Sequence, residues 1–236
     1  MIDLHCHILP GLDDGPGTLV QSVEMARMAA DDGITRIVAT PHIVDDQLSM
    51  KEVGKSVVKL NRALKHQQVP VEIIPGGETA SALDPSISGD FVIANTRYLL
   101  LEFPHTHLPQ TARETLFRIR KMGVTPIICH PERNPSIVDN PGLLLDLLDG
   151  DVLVQITAGS LTGQFGRDAR QCARYLLKKG VVTVMASDGH ETRDRKPVLS
   201  AGVKAAARIL GQEKAMALVK TNPAAIIQGK RIYQCQ

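Results

Sequence analysis

Residues 1–40 read MIDLHCHILPGLDDGPGTLVQSVEMARMAADDGITRIVAT. Residues 2–7 have the side-chain alternation of a short strand, and 34–40 form a second run of strand character. Between them, 18–32 carries Leu19, Val23, Met25, Ala26 and Ala29 on nearly one helical stripe, and Gly33 follows where a glycine cap would end a helix. Strand, helix, strand in that order is a βα unit, and its repetition builds a parallel sheet rather than a sandwich.

The alternation continues to the end of the chain. Further strands are expected at 71–75, 98–102, 124–129, 152–156 and 181–186, which makes about seven, close to an eight-stranded α/β barrel. Helices are expected at 51–66, 111–122, 143–148, 167–179, 199–210 and 213–220 as an outer layer, with Gly123 and Gly180 closing two of them before strands. No repeat or low-complexity segment interrupts the pattern. With 236 residues and 43% hydrophobic content the chain can bury one sizeable core, so a single domain spanning 1–236 is expected.

Lys and Arg number 27 against 25 Asp and Glu, a balance that announces neither a nucleic-acid groove nor a polybasic membrane patch. The first residues show no basic segment leading into an apolar run and no stretch reaches a membrane span, so cytoplasmic location without membrane insertion is expected. Cys6, Cys129, Cys172 and Cys235 lack metal-ribbon spacing and read as reduced thiols.

The chemistry lies in where the histidines and carboxylates fall. His5 and His7 close the first expected strand, His42 the second, Glu78 the third, Glu102 the fourth and His130 the fifth, while Asp188 and His190 follow the seventh. Strand ends share one mouth of a parallel barrel, where sites are assembled from several strands. His5 and His7 are two apart, hence on one face, and Cys6 points away from them. Taken singly, His42, Glu78 or Glu102 reads more readily as an ordinary polar residue; the constellation reverses that. Glu102 ends the apolar run 98–101, where a buried carboxylate demands a cation or hydrogen bonds. Counting Asp14 with these, nine side chains exceed the needs of one tetrahedral ion, so two or three divalent ions are implied. Mixed imidazole and carboxylate donors favour manganese, iron or zinc over calcium or magnesium.

Local sequence leaves several residues open. Asp13 and Asp14 lie in a turn-rich loop, and turn chemistry alone would explain both. Arg133, three residues after His130, reads either as a phosphate ligand or as a surface partner of Glu132, and Arg193 and Arg195 carry the same pair of readings. His105 and His107 read as a solvated loop, with His105 a candidate substrate contact.

The segments MIDLHCHILPGLDDG, IVATPHI, GGE, LLLEFP, ICHPERN, QITAGSLTG and ASDGH resemble the PHP (polymerase and histidinol phosphatase) superfamily. Within it they resemble the bacterial manganese-dependent tyrosine-protein phosphatases of capsular and exopolysaccharide synthesis, over almost the whole chain. The resemblance implies a distorted (β/α)7 TIM-like barrel and a trinuclear site. By motif the metal ligands correspond to His5, His7, Asp14, His42, Glu78, Glu102, His130, Asp188 and His190, and the catalytic or substrate-binding arginines to Arg133 and Arg195. Gly189 stands where the family more usually has Ala.

The expected reaction is hydrolysis of a phosphate monoester by a metal-bound hydroxide, with Arg133 stabilising the equatorial oxygens. Cys129 precedes Arg133 by four positions, which is not the C-x5-R of cysteine-dependent phosphatases. The expected substrate, from the resemblance, is the phosphotyrosine tail of a membrane-associated tyrosine kinase. Two alternatives stand beside it: a small-molecule phosphatase for histidinol phosphate or a sugar phosphate, and a metal-stabilised regulator that binds phosphopeptides without turnover. Nucleic acid is not an expected partner, since no strongly basic or stacking surface is evident.

Overall fold

A computed structural model of the chain describes residues 1–232; Cys235 lies outside the described residues. Among the described residues there are nine strands: β1 Ile2–Cys6, β2 Arg36–Ala39, β3 His42–Ile43, β4 Glu72–Pro75, β5 Glu78–Ala80, β6 Tyr98–Glu102, β7 Thr125–Cys129, β8 Leu153–Thr157 and β9 Val184–Ala186. All their pairings are parallel, in the orders β1-β2-β4 and β3-β5-β6-β7-β8-β9.

Nine strands occupy seven positions because the second and third expected strands are each followed, after a break, by a short strand beyond the expected range. Pro41 lacks the N–H that would continue the ladder after β2. Gly76 and Gly77 pass so close to their neighbours that a Cβ on Gly76 would stand 2.8 Å from Val38 Cγ1, and one on Gly77 3.0 Å from Ile43 Cγ1. After the breaks the chain pairs again, with His42 opposite Glu78 and the Glu78 N–H donating to the Pro41 carbonyl at 3.0 Å. His42 and Glu78 therefore open short strands instead of closing long ones, a correction to the expected placement.

The result is a distorted (β/α)7 arrangement. At the seam between β1 and β9 a single parallel bridge joins Cys6 to Gly189, flanked by His7 N–H to Gly189 O at 2.8 Å and Asp188 N–H to His5 O at 2.9 Å. Alternating strand residues divide between two apolar layers. Leu99, Leu101, Ile128, Val154, Ile156 and Met185 pack with the helices, while Tyr98, Leu100, Ile127, Leu153 and Val184 form the second cluster with Leu4.

The helix Leu19–Asp31 buries Val23, Met25, Ala26 and Ala29 and starts in a capping box between Thr18 and Gln21; Gly33 follows it at φ +84°. Ser49 and Glu52 cap Met50–His66 in the same way. Three expected elements are shorter than read. The helix at 143–148 is Gly142–Leu145, its continuation tightening into turns as Leu147 and Leu148 donate three residues back. The helix at 213–220 is Gln212–Ala217, and the strand at 181–186 pairs only over Val184–Ala186. Short helices Pro135–Asp139, Ala158–Thr162 and Thr221–Ile227 were not expected. No helix among the described residues is long and apolar enough to cross a membrane.

Candidate metal centre

The structure brings all nine expected donors to one mouth. Glu78, side chain fully buried at the start of β5, stands at the centre. Its Oε1 lies 3.2 Å from His5 Nε2 and 3.0 Å from His130 Nε2, and its Oε2 3.3 Å from His7 Nε2 and 3.0 Å from His42 Nδ1. Glu102, ending β6, places Oε1 3.5 Å from His130 and Oε2 3.6 Å from His42. Asp188 Oδ1 is 3.5 Å from both His5 and His7, and Asp14 Oδ1 is 3.2 Å from His190 and 3.6 Å from His42. The donors fall into overlapping sets whose ligand atoms lie within 4.8 Å of one another: His7, Asp14, His42 and His190; His5, Glu78 and His130; His5, His7 and Asp188; His42, Glu78 and Glu102.

Cations fit this arrangement on three grounds. Glu78 Oε2, Glu102 Oε1 and His190 Nε2 are buried without a hydrogen bond of proper geometry, although imidazoles or carboxylates stand near each; such atoms are costly unless another ligand meets them. His5 and His7 point Nε2 at Nε2 across 3.1 Å, with both Nδ1 atoms engaged elsewhere. Four carboxylates converge with two guanidiniums near them. Burial and the charge of Glu78 push Glu102 up to about 7. Burial and the charge of His7 push His190 down to about 3, and burial lowers His130 to about 4. Burial also opposes charge on His7, but hydrogen bonds to Asp13, Asp188 and Glu78 outweigh it and raise His7 well above its ordinary value. Neutral His130 and His190 present the lone pairs that metal ions require.

Two donors sit on strained backbone. His130 has φ +31° and Asp188 φ +52°, left-handed values that non-glycine residues adopt at a cost of order 1–3 kcal/mol. His130 directly follows β7, and Asp188 follows β9 after the single residue Ser187.

An outer set of hydrogen bonds orients the donors. His5 Nδ1 donates to Gln155 Oε1 at 2.9 Å, and His7 Nδ1 donates to Asp13 Oδ2 at 2.6 Å, so both turn Nε2 toward the cluster. Asp13 also accepts from the His42 and Gly15 N–H groups. The sequence reading missed both orienting residues. Asp13 does shape its turn, as expected, but it acts on His7 as well; its adjacency to Asp14 was the available signal. Gln155 carried none beyond its place in QITAGSLTG. Buried Asp3 accepts from Ser187 N–H at 2.9 Å and from its hydroxyl, tying β1 to the loop that carries Asp188.

Arg133 and Arg195 stand beside the cluster. Glu132 is buried and accepts from Thr157 N–H and Ser160 Oγ, so it is not the partner of Arg133. Arg133 and Arg195 both donate to Asp188 Oδ2, Arg195 Nη2 at 2.8 Å. Glu191 shapes the second loop by accepting from the N–H groups of Arg193, Asp194 and Arg195. Arg193 itself is exposed, with no ion pair among the described residues. His105 stands at the rim, its side chain 62% exposed and Nε2 3.2 Å from Glu102 Oε1. His107 bonds Thr106 in the exposed loop, as read from sequence. Cys6 is a buried thiol that donates to the Gly189 carbonyl.

Comparison with known proteins shows what the whole chain is similar to. The family model described as capsular polysaccharide synthesis, CpsB/CapC, matches residues 1–228. The tyrosine-protein phosphatase YwqE of Bacillus subtilis is 36% identical over 201 residues, covering 83% of this chain and 79% of that protein. The tyrosine-protein phosphatase CpsB of Streptococcus pneumoniae is 29% identical over 244 residues, covering 98% and 100%. A crystal structure from work on these two proteins, described there as metal-dependent tyrosine phosphatases, superposes with TM-score 0.92 at 32% identity over 100% of this chain and 97% of that one. The Escherichia coli phosphotriesterase homology protein shares the fold at TM-score 0.60 and 10% identity, covering 96% and 98%.

Proposed function

Since the chain belongs to the CpsB/CapC family of capsular polysaccharide synthesis, we propose that it is a metal-dependent protein-tyrosine phosphatase acting on a phosphotyrosine protein. The observation that carries this reading is the convergence of five imidazoles and four carboxylates around Glu78, with Arg133 and Arg195 at its edge. His5, His7, Asp14, His42, Glu78, Glu102, His130, Asp188 and His190 would hold two or three divalent cations, manganese first and iron or zinc next. When bound, such ions supply Lewis-acid stabilisation of phosphoryl oxygens and make water more acidic.

The chain's own groups do the rest. Arg133 and Arg195 offer planar N–H edges to phosphoryl oxygens and stabilise the charge that develops on them. Asp13 and Gln155 hold the imidazoles of His7 and His5 in one tautomer. The rim side chains of Asp14 and His105 are more than half exposed, so a phosphorylated side chain on a polypeptide reaches the cluster, with His105 as a contact. A thiol is not needed as nucleophile: among the described residues Cys6, Cys129 and Cys172 are all buried, and burial, then the charges of Glu78 and Glu102, raise the Cys129 thiol well above its ordinary value. The substrate we favour is the tail of a membrane-associated tyrosine kinase of polysaccharide export, met in the cytoplasm.

Turnover of phosphotyrosine peptides and of histidinol phosphate by the manganese-loaded protein, before and after chelation, tests the proposal. Peptide turnover that chelation abolishes supports it. Preference for histidinol phosphate would make it a small-molecule phosphatase, and bound metal without turnover would make it a phosphopeptide-binding regulator.

A further inference from the structure

The segment QITAGSLTG and the Gln164-Phe165 pair that follows it supply none of the nine donors. The chain leaves the short helix Ala158–Thr162 through Gly163 at φ +95° and enters the helix Gly166–Lys178 at Gly166, φ +90°. Only Gln164 and Phe165 stand between these two left-handed glycines. The Phe165 ring lies against the Arg133 guanidinium, 4.3 Å from Cζ to the ring centroid. Gln164 Nε2 donates to the carbonyl of Asp194, the residue before Arg195, at 2.8 Å. Both side chains rest over Gly159, where a Cβ would stand 2.3 Å from Gln164 Oε1 and 2.9 Å from Phe165 Cε2. One two-residue segment thus touches both arginine-bearing loops from outside. Among the described residues it makes no hydrogen bond or ring contact with the nine donors.

We propose that Gln164 and Phe165 are positioning residues for the two guanidiniums, setting the plane and spacing in which they receive an oxyanion. This rests on the reading of the site as a phosphoester site. Stacking occupies the face of the Arg133 guanidinium and leaves its in-plane N–H donors for ligand oxygens. An arginine already held between Asp188 and an aromatic ring has less rotamer freedom to lose when phosphate binds. Gly159 allows the arrangement, because a Cβ there would turn the Gln164 amide aside and crowd the Phe165 ring.

The test uses the manganese-loaded full chain with inorganic phosphate as probe, phosphate affinity measured by calorimetry and ion affinity by chelator competition. Phe165→Ala should weaken phosphate binding about tenfold, the scale of a lost partly desolvated cation–π contact, with ion affinity unchanged. Phe165→Trp should restore it, Gly159→Ala should weaken it, and Phe165→Ala should add nothing in an Arg133→Ala background. The proposal is overturned if Phe165→Ala binds phosphate as tightly as the wild type, if its loss is the same without Arg133, or if ion affinity falls with it. A wild-type protein that binds phosphate but turns over no phosphotyrosine peptide would refute the catalytic reading and leave this one standing on the binding data.

Discussion

Replacing Asp13 by Asn tests whether the outer hydrogen bonds govern the cluster. Asp13 Oδ2 accepts from His7 Nδ1 at 2.6 Å and from His42 N–H at 3.1 Å, while Oδ1 accepts from Gly15 N–H at 3.0 Å, and its side chain is only 5% exposed. Asparagine has one acceptor oxygen for these three donors. With that oxygen toward His7 and His42, its amide group faces the Gly15 N–H donor to donor, leaving a buried pair unsatisfied at about 1–3 kcal/mol. The His7 bond also falls from charge-assisted to neutral, a loss of about 1 kcal/mol, and the imidazole becomes a weaker base. Part of this appears as reduced stability of the metal-free protein and part as reduced ion affinity, about 10–100-fold for an altered orienting partner. Chelator competition with manganese at fixed pH and salt measures the second, and urea unfolding of the stripped protein the first. Wild-type ion affinity in Asp13→Asn would refute the reasoning, since His7 would then hold its orientation unaided.

Cys129→Ser should keep most of the phosphatase activity, whereas His130→Ala, which strips a partner from Glu78 Oε1, should lose about two orders of magnitude or more; equal losses in steady-state assays would contradict a thiol-free mechanism. Gly189→Ala would place a Cβ 2.8 Å from Pro197 Cα, so the loop through Arg195 must move; about 1–3 kcal/mol of stability should be lost with weakened phosphate binding, and an unchanged unfolding midpoint would show that the loop yields freely. Burial raises Asp3 to about 6 despite its bonds to Ser187. A carboxyl raised on folding contributes stability below its unfolded value near 4, and that contribution is lost as pH rises through 6, a span worth about 3 kcal/mol. Asp3→Asn should therefore gain on the wild type between pH 4 and 7 in urea unfolding of chelated protein, and a pH-independent difference would remove the argument.

Most of the candidate donors were legible because each stands at or just beyond an apolar run; for His42 and Glu78 that signal held although the two residues open short strands instead of ending long ones. The capping boxes of Thr18 with Gln21 and Ser49 with Glu52 are equally local, each using residues three apart, but were not read from the sequence. The interrupted strands were harder to see. Pro41 and the Gly76-Gly77 pair stand in plain view, but whether they end a strand or shift it to a new partner depends on how close Val38, Ile43 and Phe91 come.

Asp13, Gln155 and Glu132 show where local reading stops. Gln155 meets His5 across 150 residues and Glu132 meets Ser160 across 28, and nothing near either residue names its partner. Residue order alone determined the parallel α/β architecture and pointed to eight candidate donors next to apolar runs, because periodicity is a property of neighbouring residues; Asp14, in a turn-rich loop, was singled out only by motif resemblance. Tertiary structure decided that Glu78 sits at the centre, that Asp188 turns one oxygen to the imidazoles and the other to two arginines, and that Phe165 backs one of them. Those choices are set by contacts between strands and loops far apart in the chain, which form only when the ring of strands assembles.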